Sequence, residues 1–235
     1  MAPTIITHVI FDMLGTLVNT NDCILDAFKQ YAQHFYINLP DNYMKNILEA
    51  DGANKMFDDF FDYIKLPEPA MNRRSEKIKL TKAIVGHNHQ LMPGVKRFVE
   101  HLYSNNIHMA IATSRDSKMF DYLSKQVNGF LDAGKLFEHV VCGATDPEVV
   151  NNKPAPDIYH VCCQRFSEPP DSMQNVLIVE DSRKGITGAL MTGSKTLLIN
   201  NGLYEYFDDI SDKITLISDS YLSVRLDVLG IPNYD

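Results

Sequence analysis

Polar side chains stand directly after several apolar runs of the sequence, and their types suit nucleophilic chemistry assisted by a cation. A carboxylate can act as a nucleophile, a hydroxyl can hydrogen-bond the oxygens of an anion, a lysine can offset negative charge, and an acidic pair can hold a divalent ion. Taken together, the candidates indicate one shared site. They are, in chain order, Asp12 with Gly15 and Thr16, Thr113 with Ser114, Lys153, and the pair Glu180 and Asp181.

Each candidate also has an ordinary structural explanation when it is considered alone. Asp12 and Asp181 could end a strand or cap a helix. Thr113 could form a turn, and Lys153 could be a solvated charge. The functional interpretation therefore depends on whether the fold brings these positions together.

The apolar runs themselves predict buried strands of a parallel sheet. Each run is continuous, which is the pattern of strands covered on both faces. The runs are 8–11, 109–112, 140–142, 176–179 and 196–199, and the stretches of helical period between them lie at about 95–105, 117–126, 155–166 and 184–192. This repetition predicts a doubly wound, Rossmann-like α/β core, in which ligands bind beyond the carboxyl ends of the strands. The candidate residues occupy those strand ends.

Residues 19–90 interrupt this rhythm with helical, aromatic and acidic segments and no convincing strand. They predict an inserted helical cap, and the aromatic stretch 55–63 is expected to form the cap's own core. The turn at 92–94, Met-Pro-Gly, returns the chain to the sheet. The predicted domains are therefore a core of residues 1–18 and 91–235 and a cap of residues 19–90.

Length and charge limit the class of partner. The 235 residues are 45% apolar, enough for one substantial core and a smaller appended unit. The formal net charge is -8, and no run of five basic residues is present, which argues against nucleic-acid and membrane partners. We expect a small-molecule partner and a monomer or weak homodimer.

The sequence also predicts a cytoplasmic protein. No stretch approaches the roughly 18 to 20 apolar residues that span a bilayer, and no basic and apolar leader is visible at the start. The four cysteines show no CxxC spacing, which argues against zinc and favours buried thiols in a reducing compartment.

The order of the candidate residues resembles the haloacid dehalogenase superfamily. Its phosphatases carry Asp-x-Asp-Gly-Thr, then Ser or Thr, then Lys, then an acidic pair, and residues 11–17 here read Phe-Asp-Met-Leu-Gly-Thr-Leu. Within the superfamily, the chain is most similar to the pseudouridine-5'-phosphatase group. The stretches that carry this similarity are 91–94, 146–149, 153–159, 164–166 and 230–234.

The resemblance implies a magnesium-dependent phosphatase of small phosphorylated metabolites, with an α/β core and an inserted helical cap. Asp12 would be the nucleophile, forming an aspartyl-phosphate. Magnesium would be held by Asp12, the backbone carbonyl of Leu14, and Asp181 with Glu180 beside it. The phosphate would contact the backbone amides around Leu14 and Gly15, the Thr113 and Ser114 hydroxyls, and Lys153. Arg115 could add a phosphate contact or could face solvent at a helix start.

Leu14 departs from the family motif, because it occupies the position of the second Asp. That Asp protonates the leaving alkoxide and later deprotonates the attacking water, and leucine can do neither. General acid–base catalysis contributes roughly 10² to 10⁴ in rate. The sequence therefore predicts impaired turnover of alkyl phosphates, with more tolerance for esters whose leaving groups need no proton.

Three other readings stay open at this point. A pseudophosphatase would bind magnesium and phosphate without turnover, and the acidic cap segment 49–54 would disfavour a dianionic substrate. A dehalogenase needs no magnesium, and the acidic pair at 180–181 argues against it. A phosphonoacetaldehyde hydrolase needs a cap lysine that forms a Schiff base. The cap lysines considered for that role are Lys29, Lys45, Lys55 and Lys65.

Overall fold

The computed structural model of the chain describes residues 5–40, 43, 53–65, 73–200 and 207–234. The chain divides into two compact units. The first comprises residues 1–18 and 90–235, and the second comprises residues 19–89. The described helices are α1 (Asn21–His34), α2 (Ala53–Tyr63), α3 (Arg73–Gly86), α4 (Val95–Ser104), α5 (Ser117–Gln126), α6 (Asp157–Arg165), α7 (Arg183–Met191) and α8 (Leu226–Leu229).

The first unit is built on a six-stranded parallel sheet in the order β5-β4-β1-β6-β7-β8. A separate two-stranded sheet pairs β2 with β3. The strands are β1 (His8–Phe11), β2 (Val18–Asn19), β3 (Gln90–Leu91), β4 (His108–Thr113), β5 (His139–Cys142), β6 (Val176–Glu180), β7 (Lys195–Ile199) and β8 (Leu216–Ser218).

The central strands are buried on both faces because successive side chains point to opposite sides of the sheet. Phe11 of β1 packs on one side, with its ring 6.1 Å from that of Phe98 on α4. Ile10, its neighbour, packs on the other side in the cluster that contains Tyr159 of α6. A strand with apolar contacts on both faces needs a continuous apolar run. The predicted doubly wound α/β fold is confirmed.

The strands and the helix that the sequence patterns did not predict are short. β8 has three residues and α8 has four, and β2 and β3 have two each. Segments of this length are too brief to show a period of their own. The five strand predictions and four helix predictions within the first unit match observed elements to within about two residues at each end.

The second unit contains α1, α2 and α3 and has an aromatic core of its own. Phe28 of α1 lies 4.4 Å from Phe60 and 5.7 Å from Phe57, both on α2, measured between ring centroids. Leu80 of α3 is buried in the same cluster. The aromatic residues of the 55–63 stretch therefore pack together, as the sequence predicted. The acidic residues at 49–52 lie outside the described part of the chain.

Two further expectations concern cysteines and membranes. Cys23, Cys142, Cys162 and Cys163 are all buried and free of disulfides. Within the described residues, no helix combines the length and the apolar character needed to cross a membrane.

Candidate active site

Asp12 is the first residue beyond β1, and it lies between the ends of two neighbouring strands. Its backbone N–H donates to the Val179 carbonyl of β6 at 2.9 Å, and its side chain is buried. β1 pairs with both β4 and β6, so Thr113 and Glu180 end at the same edge of the sheet. The parallel arrangement thus brings three sequence-distant candidates together.

Lys153 joins these strand ends through its ammonium group. Nζ donates to Asp12 Oδ1 at 2.6 Å, to Glu180 Oε1 at 2.6 Å and to the Ala112 carbonyl at 2.8 Å. All three N–H groups of the lysine are used. Burial by itself lowers the pKa of Lys153, but the charges of Asp12 and Glu180 outweigh burial and raise it. The lysine therefore stays protonated inside the protein.

Both carboxylate oxygens of Glu180 accept hydrogen bonds. Besides Lys153, Oε1 accepts the Tyr159 hydroxyl at 2.7 Å, and Oε2 accepts the Ser182 hydroxyl at 3.1 Å. The first turn of α7 lies against it, because a Cβ on Gly185 would come within 1.9 Å of Oε2. Glycine at 185 is what admits the carboxylate. Glu180 thus serves as the anchor of Lys153.

Asp181, the next residue, is held much more loosely. It is partly exposed, and its Oδ1 accepts the Thr16 hydroxyl at 3.4 Å. Gly15 adopts a left-handed φ of +77°, and a Cβ there would lie 1.8 Å from Asp181 Oδ2. The carboxylate therefore rests directly on the backbone of the turn after β1, with its oxygens largely uncommitted.

The three acids form a compact cluster with too little positive charge. One ligand atom from each of Asp12, Glu180 and Asp181 lies within 4.8 Å of the others. Burial raises the pKa of Asp12 to about 7, although Lys153 opposes the rise. Burial and the charges of Asp12 and Glu180 raise the pKa of Asp181 well above its usual range. Oxygen ligands around an unbalanced negative charge suit a hard divalent cation.

The loop after β4 supplies the remaining candidates. Thr113 is buried, and its Oγ1 accepts the backbone N–H of Arg115 at 3.3 Å. Asn152, the neighbour of Lys153, donates from Nδ2 to the Ser114 carbonyl at 3.2 Å and so ties this loop to the lysine. Arg115 is exposed just before α5, yet its charge lowers the pKa of Asp12. Arg115 is therefore solvent-facing and within electrostatic reach of the nucleophile candidate.

Leu14 lies in the tight turn between Asp12 and β2. It forms an isolated bridge with Val18, and the Gly15 N–H donates to the Val18 carbonyl at 2.8 Å. The leucine side chain is half-buried and packs against the apolar core. A hydrocarbon thus occupies this position of the turn, and the turn itself is fully formed.

The lysines considered for Schiff-base chemistry are exposed where the structure describes them. Lys55 binds Asp59 at 2.7 Å, and Lys29 and Lys65 are exposed. Lys45 lies outside the described residues. Tyr159 and Ser182, which sequence reasoning did not select, contact Glu180 directly. The only sequence signal for Tyr159 was its place on the helix that follows Lys153.

The chain belongs to the haloacid dehalogenase-like hydrolase family, whose model matches residues 9–199. It is 30% identical over 194 residues to a probable pseudouridine-5'-phosphatase of Drosophila melanogaster, covering 83% of this chain and 81% of that protein. It is 27% identical to (DL)-glycerol-3-phosphatase 2 of Arabidopsis thaliana, over 98% of this chain and 93% of the relative.

The fold is shared with solved structures of low sequence identity. CbbY from Rhodobacter sphaeroides in complex with phosphate superposes with a TM-score of 0.67 at 21% identity, covering 97% of this chain and all of the other. A haloacid dehalogenase-like protein from Agrobacterium tumefaciens gives a TM-score of 0.70 at 19% identity, over 92% of this chain and 94% of the other. These matches establish the Rossmann-like architecture predicted from the sequence.

Proposed function

We propose that the protein is a magnesium-dependent phosphomonoester hydrolase of small phosphorylated metabolites, such as sugar or nucleoside phosphates, with an impaired proton-transfer step. The observation that carries this proposal is the Lys153 ammonium, which binds Asp12 and Glu180 at the strand ends where Asp181 completes a cluster of three carboxylates. The names of the relatives, phosphatases of pseudouridine-5'-phosphate and glycerol-3-phosphate, support the substrate class.

Asp12 and Asp181, with the backbone carbonyl of Leu14, would hold the magnesium ion. The ion would supply charge neutralisation between a carboxylate and a phosphate dianion and would polarise the phosphoryl group. Glu180 is assigned a different task, because its oxygens already accept three hydrogen bonds. It fixes Lys153 and keeps the lysine charged.

The chemical step uses Asp12 as nucleophile. Lys153 holds Oδ1, which leaves Oδ2 to attack phosphorus while the bond from phosphorus to the leaving oxygen breaks. The Thr113 and Ser114 hydroxyls and the Gly15 amide would hydrogen-bond the transferred oxygens, and Arg115 would add positive charge. Water then cleaves the aspartyl-phosphate and releases inorganic phosphate.

Leu14 removes the group that would move protons in both halves of the reaction. The leaving alkoxide must depart without an acid, and the attacking water has no base at this position. We expect a loss of roughly 10² to 10⁴ in rate for alkyl phosphates. Aryl phosphates with acidic leaving groups depart without a proton, so their first step should suffer least.

The test compares wild type with Leu14→Asp and Leu14→Asn. Asparagine matches aspartate in shape but transfers no proton, so it controls for the loss of the leucine. We expect Leu14→Asp to raise magnesium-dependent turnover of alkyl phosphates by about 10² or more, and Leu14→Asn to leave it unchanged. Wild-type turnover equal to that of Leu14→Asp would refute the proton-transfer defect.

A pseudophosphatase is the second candidate, and Leu14 is the observation that favours it. This alternative predicts that magnesium and inorganic phosphate raise the melting temperature of wild type while neither wild type nor Leu14→Asp releases phosphate from any ester. A cytoplasmic location and a monomeric or weakly dimeric state remain predictions from the sequence.

A further inference from the structure

Four successive backbone carbonyls, at the end of β4 and in the loop after it, all accept hydrogen bonds from one segment of the chain, residues 143–153. The donors and their acceptor carbonyls are Lys153 Nζ to Ala112 at 2.8 Å, Gly143 N–H to Thr113 at 2.8 Å, Asn152 Nδ2 to Ser114 at 3.2 Å and Ala144 N–H to Arg115 at 3.5 Å. One segment therefore both carries the site lysine and holds the loop after β4.

Asn152 links these two parts of the site through a single side chain. Its Oδ1 accepts the backbone N–H of Lys153 at 2.9 Å, while its Nδ2 donates to the Ser114 carbonyl. The carboxamide is rigid and offers an acceptor at one end and a donor at the other. The backbone at Lys153 and the backbone at Ser114 are therefore joined by one planar group.

Gly143 makes room for this carboxamide. A Cβ built at Gly143 would lie 2.9 Å from Asn152 Oδ1 and 3.2 Å from Ile158 Cδ1. Both atoms are the ends of flexible side chains, so a methyl group at 143 can be accommodated when the asparagine moves aside. The close approach thus offers a second way to displace Asn152, one that leaves the asparagine in the chain.

The hydrogen bond from Asn152 orients the peptide group between Ser114 and Arg115. In a trans peptide the carbonyl and the N–H point in opposite directions. The Ser114 carbonyl faces Asn152, and the Arg115 N–H on the other side donates to Thr113 Oγ1 at 3.3 Å. This contact occupies a lone pair of the Thr113 hydroxyl and leaves its proton to be donated to an anion. Asn152 therefore acts on that hydroxyl through one peptide plane.

We propose that Asn152 is a positioning residue that holds the 113–115 loop in the geometry that binds a phosphoryl group. The inference rests on the proposed function, because it takes the Thr113 and Ser114 hydroxyls as phosphate contacts. Without the asparagine amide, the Ser114 peptide is free to turn, and the loop must be ordered when the anion binds. One hydrogen bond corresponds to roughly 2- to 10-fold in an equilibrium constant.

The test compares wild type, Asn152→Ala and Asn151→Ala in the full chain. Asn151 is the matched control, because it lies in the same segment and its amide donates instead to Asp157 Oδ2 at 3.3 Å. Calorimetric titration with magnesium present measures the Kd of inorganic phosphate, and amide hydrogen exchange is followed in peptides that cover residues 113–116. We expect Asn152→Ala to weaken phosphate binding by about 5-fold and to speed this exchange, with Asn151→Ala like wild type in both.

Gly143→Ala displaces the same carboxamide from the other side. We expect it to weaken phosphate binding by a similar factor. In the double variant Gly143→Ala with Asn152→Ala, the second change should add little, because the contact it would disturb is already gone. Full additivity of the two changes would contradict a shared route through Asn152.

Unchanged hydrogen exchange at 113–116 in Asn152→Ala would overturn the positioning role, and so would equal phosphate affinities in Asn152→Ala and Asn151→Ala. A lower melting temperature with wild-type phosphate affinity would mark an ordinary structural contact and would also overturn it. Failure of the proposed function is separately visible, because wild type itself would then bind no phosphate. The phosphate part of the inference would fall with it, and the exchange rates would still decide whether Asn152 holds the loop.

Discussion

The two edges of the six-stranded sheet bury titratable side chains in different ways. At the carboxyl edge, Asp12 and Glu180 meet the Lys153 ammonium. At the amino edge, His8, His108 and His139 begin three neighbouring strands and surround the ring of Phe166. One edge therefore pairs its carboxylates with a lysine, whereas the other is built from imidazole rings, of which His108 also contacts the Glu138 carboxylate.

The amino edge is lined by imidazole rings. His8 stacks on His108 at 4.8 Å, and its Nε2 pairs with the Glu168 carbonyl at 2.7 Å. Both ring nitrogens of His139 are buried without a hydrogen-bond partner among the described residues. Burial lowers the pKa of His8 and of His139. A histidine can give up its proton near neutral pH, whereas the buried Asp12 carboxylate is paired with the Lys153 ammonium.

Removal of the lysine is the largest change that would break this contrast. In Lys153→Met, Asp12 and Glu180 lose their shared cation inside the protein. Breaking a buried ion pair costs about 3 to 5 kcal/mol, and we expect the free energy of unfolding at pH 7.5 to fall by that amount. Urea denaturation measures it, and phosphatase activity should disappear in the same variant.

The control for this variant is Lys135→Met. Lys135 binds Asp132 at 2.9 Å, but the lysine side chain is 61% exposed. Exposed pairs contribute little, so this change should stay within about 0.5 kcal/mol. If Lys153→Met were equally mild, the carboxyl edge would not depend on pairing, and the two edges would be alike.

Gly185→Ala tests the same edge through geometry. The added methyl would lie within 2.3 Å of both carboxylate oxygens of Glu180, so the helix start or the carboxylate must move. We expect a cost of about 1 to 3 kcal/mol in the free energy of unfolding, as for other overpacked sites. The catalytic rate should fall by more than the loss of folded protein explains, because a displaced Glu180 releases Lys153.

Gly86→Ala is the matched change in open space. Gly86 ends α3, and a Cβ built there meets nothing within 4 Å. Alanine is the better helix former, by up to about 1 kcal/mol, so this variant should be neutral or slightly stabilised. A similar loss of unfolding free energy in both glycine variants would indicate a backbone effect rather than a contact with Glu180. The denaturation midpoints of the two proteins decide between these readings.

The neighbourhood of Asp12, Thr113 and Glu180 could be predicted from the sequence because each follows a continuous apolar run. Parallel strands place such ends at the same edge of the sheet, independently of the conformation of the loops. The different tasks of Glu180 and Asp181 could not be predicted. They depend on Tyr159, six residues after Lys153, and on the missing side chain at 185, and neither leaves a pattern in the sequence.

The elements of the C-terminal part of the fold could also not be predicted from sequence patterns. β8 and the short helical turn after it, Tyr221–Ser223, are three residues each, too short for a period to be visible. Leu14 shows the reverse situation. Its identity was plain from the motif, and the structure adds that the turn around it is intact, with the Gly15 N–H bound to the Val18 carbonyl at 2.8 Å.

His139→Leu is expected to have the smallest effect and probes the amino edge. The lowered pKa of His139 in the folded protein means that the unfolded chain takes up this proton first as pH falls below about 6.5. The contribution of His139 to the stability of wild type therefore falls between pH 7.5 and 5.5, and relative to wild type the leucine variant should gain about 1 kcal/mol over that interval. Burial is the largest cause of the lowered pKa of His139, the Cys162 backbone and the charge of Glu138 oppose it, and Arg165 adds to it.

The measurement is the free energy of unfolding from urea titrations at the two pH values, compared with His160→Leu. His160 is exposed on α6, so this variant controls for the replacement of a histidine by leucine at the surface. Because the acids at the carboxyl edge titrate in both proteins, the difference between variant and wild type isolates His139. An unchanged slope in His139→Leu would mean that this ring keeps its proton when buried. The amino edge would then hold charge as the carboxyl edge does, and the contrast between the two edges would be lost.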